Sequence, residues 1–225
     1  MSFTARATRR GRAQRQRAIG RNVAALSHYS SDNVLQVIAQ ATPAEEAEGM
    51  GWYSAAHHHA AEIAATYGIS LSSAAATIAA LSPQSGWTEN LRLAHEAAEH
   101  AQAGRTDLIG GHTVDACTKA SQILRGADPR HVLGGRKVRS FYANILRPET
   151  PGPVTVDRHA VSILADDRGE ERKRTLDRMG AYQHCTALYR DAGRTLGVMP
   201  HQAQAISWVT WRRIHDVYRP EHEEF

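Results

Sequence analysis

Apolar positions recur at intervals of three and four along most of this chain, the spacing that lines one face of an α-helix. Capping and breaking residues divide the pattern into segments. Thr42-Pro43-Ala44-Glu45 has the form of a capping box with Pro at the first helical position. The Ala-rich run behind it closes at Gly68, a natural left-handed stop. Ser70 caps a predicted helix from Leu71 to Leu81, which Ser82-Pro83-Gln84-Ser85-Gly86 breaks. Helices are also predicted from Thr88 to Ala103 and from Thr113 to Leu124. A short turn follows Asp128-Pro129, and Gly134-Gly135 separates it from a helix over Lys137 to Leu146. Pro148, Pro151, Gly152 and Pro153 make the next stretch a loop. Val154-Thr155-Val156 is strand-like but too short to found a sheet. Helices resume over Asp157 to Ala165, Tyr182 to Leu196 and Pro200 to Val217. No internal repeat, heptad seam or linker interrupts the series. The pattern predicts a compact all-α protein of about nine to eleven helices, with one helical domain over 31–225 behind a disordered tail over 1–30.

Composition narrows the class. The chain has 225 residues, 42 % of them apolar, enough to bury a core without disulfides or metals. No run approaches the length of a membrane-spanning helix. The first thirty residues lack the apolar stretch of a secretory signal, although their Arg-rich, acid-free character is shared with transit peptides. The two cysteines, Cys117 and Cys185, are too few for a disulfide scaffold or a cysteine-built zinc or iron–sulfur site. A reduced, cytoplasmic compartment fits.

The net charge of +4 is unevenly placed. Seven Arg precede the first acid, Asp32. Without them the rest carries 20 basic and 23 acidic residues, or −3. The basic character therefore belongs to the tail, which suits contact with a polyanion. The chain has 37 Ala, 24 Arg and 3 Lys, a bias that GC-rich coding produces. Arg abundance alone thus says little about nucleic acid, whereas a Lys in a special place stands out. His57-His58-His59 lies on a predicted helix, where consecutive residues point in different directions and do not chelate one metal.

Two motifs carry chemistry. In the first, Leu81-Ser82-Pro83-Gln84-Ser85-Gly86-Trp87-Thr88-Glu89-Asn90 runs from a helix through a tight loop that presents Gln84 and into a new helix at Trp87 or Thr88. In the second, Leu133-Gly134-Gly135-Arg136-Lys137-Val138-Arg139 is followed, twenty residues after Lys137, by Val156-Asp157-Arg158-His159-Ala160. A Gly pair before a helix lets backbone amides approach an anion, and the helix N-terminus adds its positive dipole end. From Arg125 to Arg147 six basic residues face one acid, the densest cationic stretch of the body. Plainer roles exist: Asp157 suits an N-cap, and Trp87 suits a core.

Together the motifs resemble those of the helix-hairpin-helix DNA glycosylases, the endonuclease-III-like superfamily. The resemblance covers roughly residues 70 to 165. It implies an all-α fold with a helix-hairpin-helix element, double-stranded DNA as partner, and a base flipped out of the stack. It implies that Gln84 fills the vacated space, that the amides of Gly134 and Gly135 with Arg136 and Arg139 hold a phosphate, and that Lys137 and Asp157 carry the chemistry. Asp157 would stabilise the oxocarbenium character of a breaking N-glycosidic bond, and Lys137 would be the Schiff-base nucleophile. Trp87, His159, Gln204 and Trp208 are the expected walls of the base pocket. Gln204, Trp208 and Trp211 share one helical face, which equally suits core packing. No iron–sulfur cluster or other metal is expected. A monovalent cation at the hairpin is compatible with the resemblance, and a monomer is favoured.

The chain departs from the family pattern at Leu133, Val138 and Arg158, so base specificity does not transfer. Two other function classes stay open. One is a transferase on the same fold that joins an amine or amino acid to an activated modified thymine in bacteriophage DNA. The other is a non-catalytic DNA-binding module.

Overall fold

A computed structural model describes the backbone of residues 3–167 and 170–215, with side chains described for 11–167 and 174–215. Among these residues the protein is all-helical, with no strand. In chain order the α-helices are α1 (Phe3–Ala24), α2 (Ser31–Ile38), α3 (Pro43–Tyr67), α4 (Leu71–Leu81), α5 (Trp87–Gln102), α6 (Val114–Leu124), α7 (Pro129–Val132), α8 (Arg136–Leu146), α9 (Arg158–Ala165), α10 (Ala181–Leu196) and α11 (Pro200–Ile214). A 3₁₀ helix, Glu170–Asp177, precedes α10.

Local chemistry sets the helix ends. Thr42 and Glu45 close the capping box of α3 reciprocally, at 3.2 and 2.8 Å. Gly68 ends that helix in the left-handed conformation, φ 64°. Ser70, Thr113 and Asp128 cap α4, α6 and α7 through their side-chain oxygens. Val217, the expected end of the last helix, lies outside the described residues.

The expectation of a disordered tail is corrected over α1. Its Ala, Arg and Gln are strong helix formers. The end of the helix is also docked: Asn22 donates to the Met179 carbonyl at 3.0 Å, and Ile19 sits over Gly180, where an added Cβ would lie 2.8 Å from the Ile19 side chain. Arg12, Arg15, Arg17 and Arg21 remain exposed.

Apolar burial is organised in two clusters. The first joins α3, α4, α5, α6 and α8 around Ile63, Ile78, Leu81, Leu93, Ile123 and Ile145. Helix α4 is buried from Ala74 to Leu81, and its Ala residues let neighbouring helices approach closely. The second joins α2, α9, α10 and α11 around Val34, Ile163, Leu164, Tyr189 and Trp211. Helices α3 and α11 pack together across the seam between the clusters. Gly49 makes that contact possible, since a Cβ there would stand 2.4 Å from the Ile206 Cα.

Residues 154–156 are extended but pair with no strand. Side chains meet their polar groups instead, as buried backbone requires. The Tyr182 hydroxyl lies 2.7 Å from the Val154 carbonyl and 3.3 Å from the Val156 amide, and Asn144 Nδ2 donates to Thr155 Oγ1 at 3.1 Å. This segment delivers the chain to Asp157.

Candidate functional site

A cleft of about 170 Å³ opens on the seam between the two apolar clusters. Six parts of the chain build it. Helix α3 supplies Trp52 and Tyr53, the α4–α5 loop Ser82 and Ser85, and α5 Trp87 and Asn90. Helix α8 supplies Lys137 and Phe141, α11 supplies Gln204, Ala205 and Trp208, and Thr155 and Asp157 come from the segment before α9.

The walls are aromatic. The Trp52 ring lies 5.0 Å from that of Trp87, 5.7 Å from Phe141 and 6.3 Å from Trp208, centre to centre. Such tilted and edge-on contacts suit aromatic quadrupoles. The Arg212 guanidinium carbon stands 3.9 Å over the centre of the Trp208 ring, and Arg212 also pairs with Glu48 at 3.2 Å.

Polar groups are few and mostly tied. The Tyr53 hydroxyl donates to Gln204 Oε1 at 3.0 Å, which fixes the amide in the cleft wall. Burial pushes the Tyr53 and Tyr182 phenols above their ordinary values, so both stay protonated donors at neutral pH. Asn90 Nδ2 donates to the Ile78 carbonyl at 3.1 Å, joining α5 to α4. Asn90 Oδ1 is buried and has no partner among the described residues. Asp157 Oδ1 accepts from the Ala160 amide at 2.8 Å. The carboxylate is therefore both the N-cap of α9 and part of the cleft wall. Lys137, half-buried in the first turn of α8, makes no hydrogen bond or ion pair among the described residues.

Of the residues singled out from the sequence, Lys137, Asp157, Trp87, Gln204 and Trp208 share this cleft. His159 does not line it. It lies two residues into α9, where Arg158 Nε donates to its Nε2 at 3.2 Å. The Gln204, Trp208 and Trp211 face divides: the first two meet the cleft, and Trp211 is buried in the second cluster.

Gln84 is exposed at the tip of the α4–α5 loop with φ 65°, a left-handed conformation rare for a side-chain-bearing residue. It lines a neighbouring groove with Pro83, Lys119, Gly134 and Val138. Gly135 also has positive φ, 67°, and no side chain caps α8. The first amides of α8 are left without a capping side chain, as an anion site requires. Arg139 Nε donates to the Leu133 carbonyl at 2.7 Å and closes the Gly-Gly turn. Arg136 and Arg139 are exposed beside it.

Trp52, Tyr53, Phe141, Asn90 and Thr155 were not anticipated as site residues. The available signal was the clustering of rare rings: three of the four Trp line one cleft. The three consecutive His diverge, with Nδ1 atoms facing the Ile145 carbonyl, the Ser54 carbonyl and Glu62. Among the described residues no group of three or more His, Cys, Asp or Glu is placed to hold a metal ion. Cys117 and Cys185 are free and buried, and no single described helix is long and apolar enough to cross a membrane.

Fold and cleft together define an all-α protein with an aromatic pocket holding one carboxylate and one amine. The chain belongs to the family of unknown function DUF7178, whose model matches residues 17–215. No curated protein and no solved structure matches it.

Proposed function

We propose that this protein binds double-stranded DNA, turns one base out of the stack and acts on it in the seam cleft, in the manner of a helix-hairpin-helix DNA glycosylase. The observation that carries the reading is the meeting of Lys137 and Asp157 in one aromatic-walled cleft from separate parts of the chain. A flipped base needs flat apolar surfaces to replace its lost stacking partners, and Trp52, Trp87, Phe141 and Trp208 offer them.

In this reading α7, the Leu133-Gly134-Gly135 turn and α8 form the hairpin, and the free amides at the start of α8 take a backbone phosphate. Gln84 enters the duplex from its loop tip. The Asp157 oxygen not used in capping stabilises positive charge on the sugar as the bond to the base breaks. Lys137 attacks the sugar as the free amine, or holds a phosphate while water attacks. The exposed arginines of α1 add sequence-independent attraction to the duplex.

Incubation with a panel of duplexes bearing damaged or modified bases, read by mass spectrometry, tests this. Base loss is the expected result, with strand cleavage if Lys137 is the nucleophile. A product that gains mass assigns the transferase chemistry. Duplex binding with no product across the panel and with added amine donors leaves a binding module and overturns the enzymatic reading.

A further inference from the structure

Five exposed arginines among the described residues of the body have carboxylate partners. Arg92 pairs with Glu89 and Glu96, Arg105 with Asp107, Arg130 with Asp128, Arg194 with Asp191 and Arg213 with Glu45. A hollow of about 350 Å³ between α8 and α10 gathers three that have none among the described residues. Arg136, Arg139 and Arg190 line it together with Tyr182, Gln183 and Thr186, and no carboxylate lines it among the described residues.

None of the three guanidiniums is neutralised by a carboxylate among the described residues, and two of them are held in place. Arg136 donates to Gln183 Oε1 at 2.5 Å and lies 5.9 Å from the centre of the Tyr182 ring. Arg139 is held by the Leu133 carbonyl. Arg190 has no hydrogen-bond or ion-pair partner among the described residues. A second, independent sign is Thr186. It is 7 % exposed, and its hydroxyl is buried with no partner among the described residues. Native structures rarely leave such a group unmet.

We infer that this hollow is a second phosphate site, which holds the phosphodiester backbone of the DNA strand bound at the start of α8. The inference rests on the DNA-binding reading and adds α10 to the interface. Three unneutralised cations match successive phosphates better than they match a single small anion, and guanidinium forks fit phosphate oxygens in pairs. Arg136 is the first residue of α8, so the hollow continues the anion path from the helix N-terminus. A side-chain site of this kind positions the duplex and reads no sequence.

The test is fluorescence anisotropy of the full chain with a labelled duplex across a salt series. Arg190→Gln alters an exposed side chain that nothing structural requires, and Arg194→Gln, one turn further along α10, is its control. The expected result is that Arg190→Gln weakens binding equally for all sequences and lowers the slope of log affinity against log salt by about 0.9. Arg194→Gln leaves both unchanged. If wild type binds duplex and Arg190→Gln matches it in affinity and slope, the α8–α10 site is overturned while the DNA reading stands. A second arm follows the Thr186 amide by NMR during titration with inorganic phosphate and with duplex. A shift with duplex supports the site. A shift with phosphate alone assigns the hollow to a small phosphorylated ligand and overturns the backbone assignment. Absence of duplex binding by wild type at any salt overturns both readings.

Discussion

Lys137 and Asp157 stand on different elements, the first turn of α8 and the N-cap of α9, and line the same cleft. Their meeting depends on the extended segment 154–156, which Tyr182 and Asn144 hold in place. Asp157 has two duties that substitution can separate. Asn keeps an oxygen for the Ala160 amide, so Asp157→Asn should melt like wild type. Asp157→Ala loses the cap and should cost about 1 kcal/mol in urea unfolding. Both should lose product formation in the duplex assay, and full turnover in Asp157→Asn would sink the proposed chemistry.

Lys137 contributes no hydrogen bond to the fold, so Lys137→Ala should change stability by no more than about 0.5 kcal/mol. Its effect on DNA chemistry discriminates two roles. A nucleophilic lysine gives a covalent protein–DNA adduct under borohydride in wild type and none in the variant. A phosphate contact gives weaker binding with turnover kept at saturating DNA.

The left-handed backbone at Gln84 makes Gly an informative replacement. Gly adopts φ 65° without steric cost, so Gln84→Gly should hold or raise the melting temperature. It should nevertheless reduce the fluorescence change of a base analogue at the target position more than it reduces overall duplex affinity. Equal loss of both signals would argue against a role in filling the stack.

Gly49 sits where the backbones of α3 and α11 touch. A methyl group there meets the Ile206 Cα at 2.4 Å and its amide nitrogen at 2.6 Å, atoms that no side-chain rotation moves away. Gly49→Ala should destabilise the protein by about 1–3 kcal/mol or more. The urea midpoint should fall at unchanged slope. Because Trp52 and Trp208 lie within one turn of this contact on their helices, Trp fluorescence of the native state should shift as well.

His201 is buried, with Nε2 facing the Pro148 carbonyl at 2.9 Å and Nδ1 without a partner among the described residues. The carbonyl only accepts, so Nε2 carries the proton. Burial holds the imidazole pKa below its ordinary 6.5. The unfolded chain therefore takes up this proton first on acidification. Its stabilising preference for the neutral form is intact above about pH 6.5 and is lost progressively below it. The stability gap between wild type and His201→Gln should narrow from pH 7.5 to 5.5 in urea titrations. A gap that is constant or widens would contradict this.

The helices were legible where local rules decide them. Thr42, Ser70, Thr113 and Asp128 mark starts through hydrogen bonds they make themselves, and Gly68 and Gly104 mark ends through positive φ. α1 was hidden because the Arg run reads as a solvated tail, and docking on the Met179–Gly180 turn is a long-range fact. In the cleft, it was the resemblance to the glycosylase motifs that put Lys137 and Asp157 in one site on paper. Trp52, Tyr53 and Phe141 could not be read in this way. Each lies on an amphipathic helix whose period tells which face is apolar but not whether that face meets a core or an opening.

The 154–156 segment is anchored by Asn144 of α8 on one side and Tyr182 of α10 on the other, and the Tyr182 hydroxyl also meets Ser140 of α8. Those helices belong to different apolar clusters. Val154 and Val156 of the segment belong to the second cluster, Asn144 ties Thr155 to a helix of the first, and Asp157 stands at the segment's end. Loosening the contact between the cores slackens this tie. Loss of cleft geometry should therefore be an early step of unfolding, so that a folded molecule with that contact loosened is already silent.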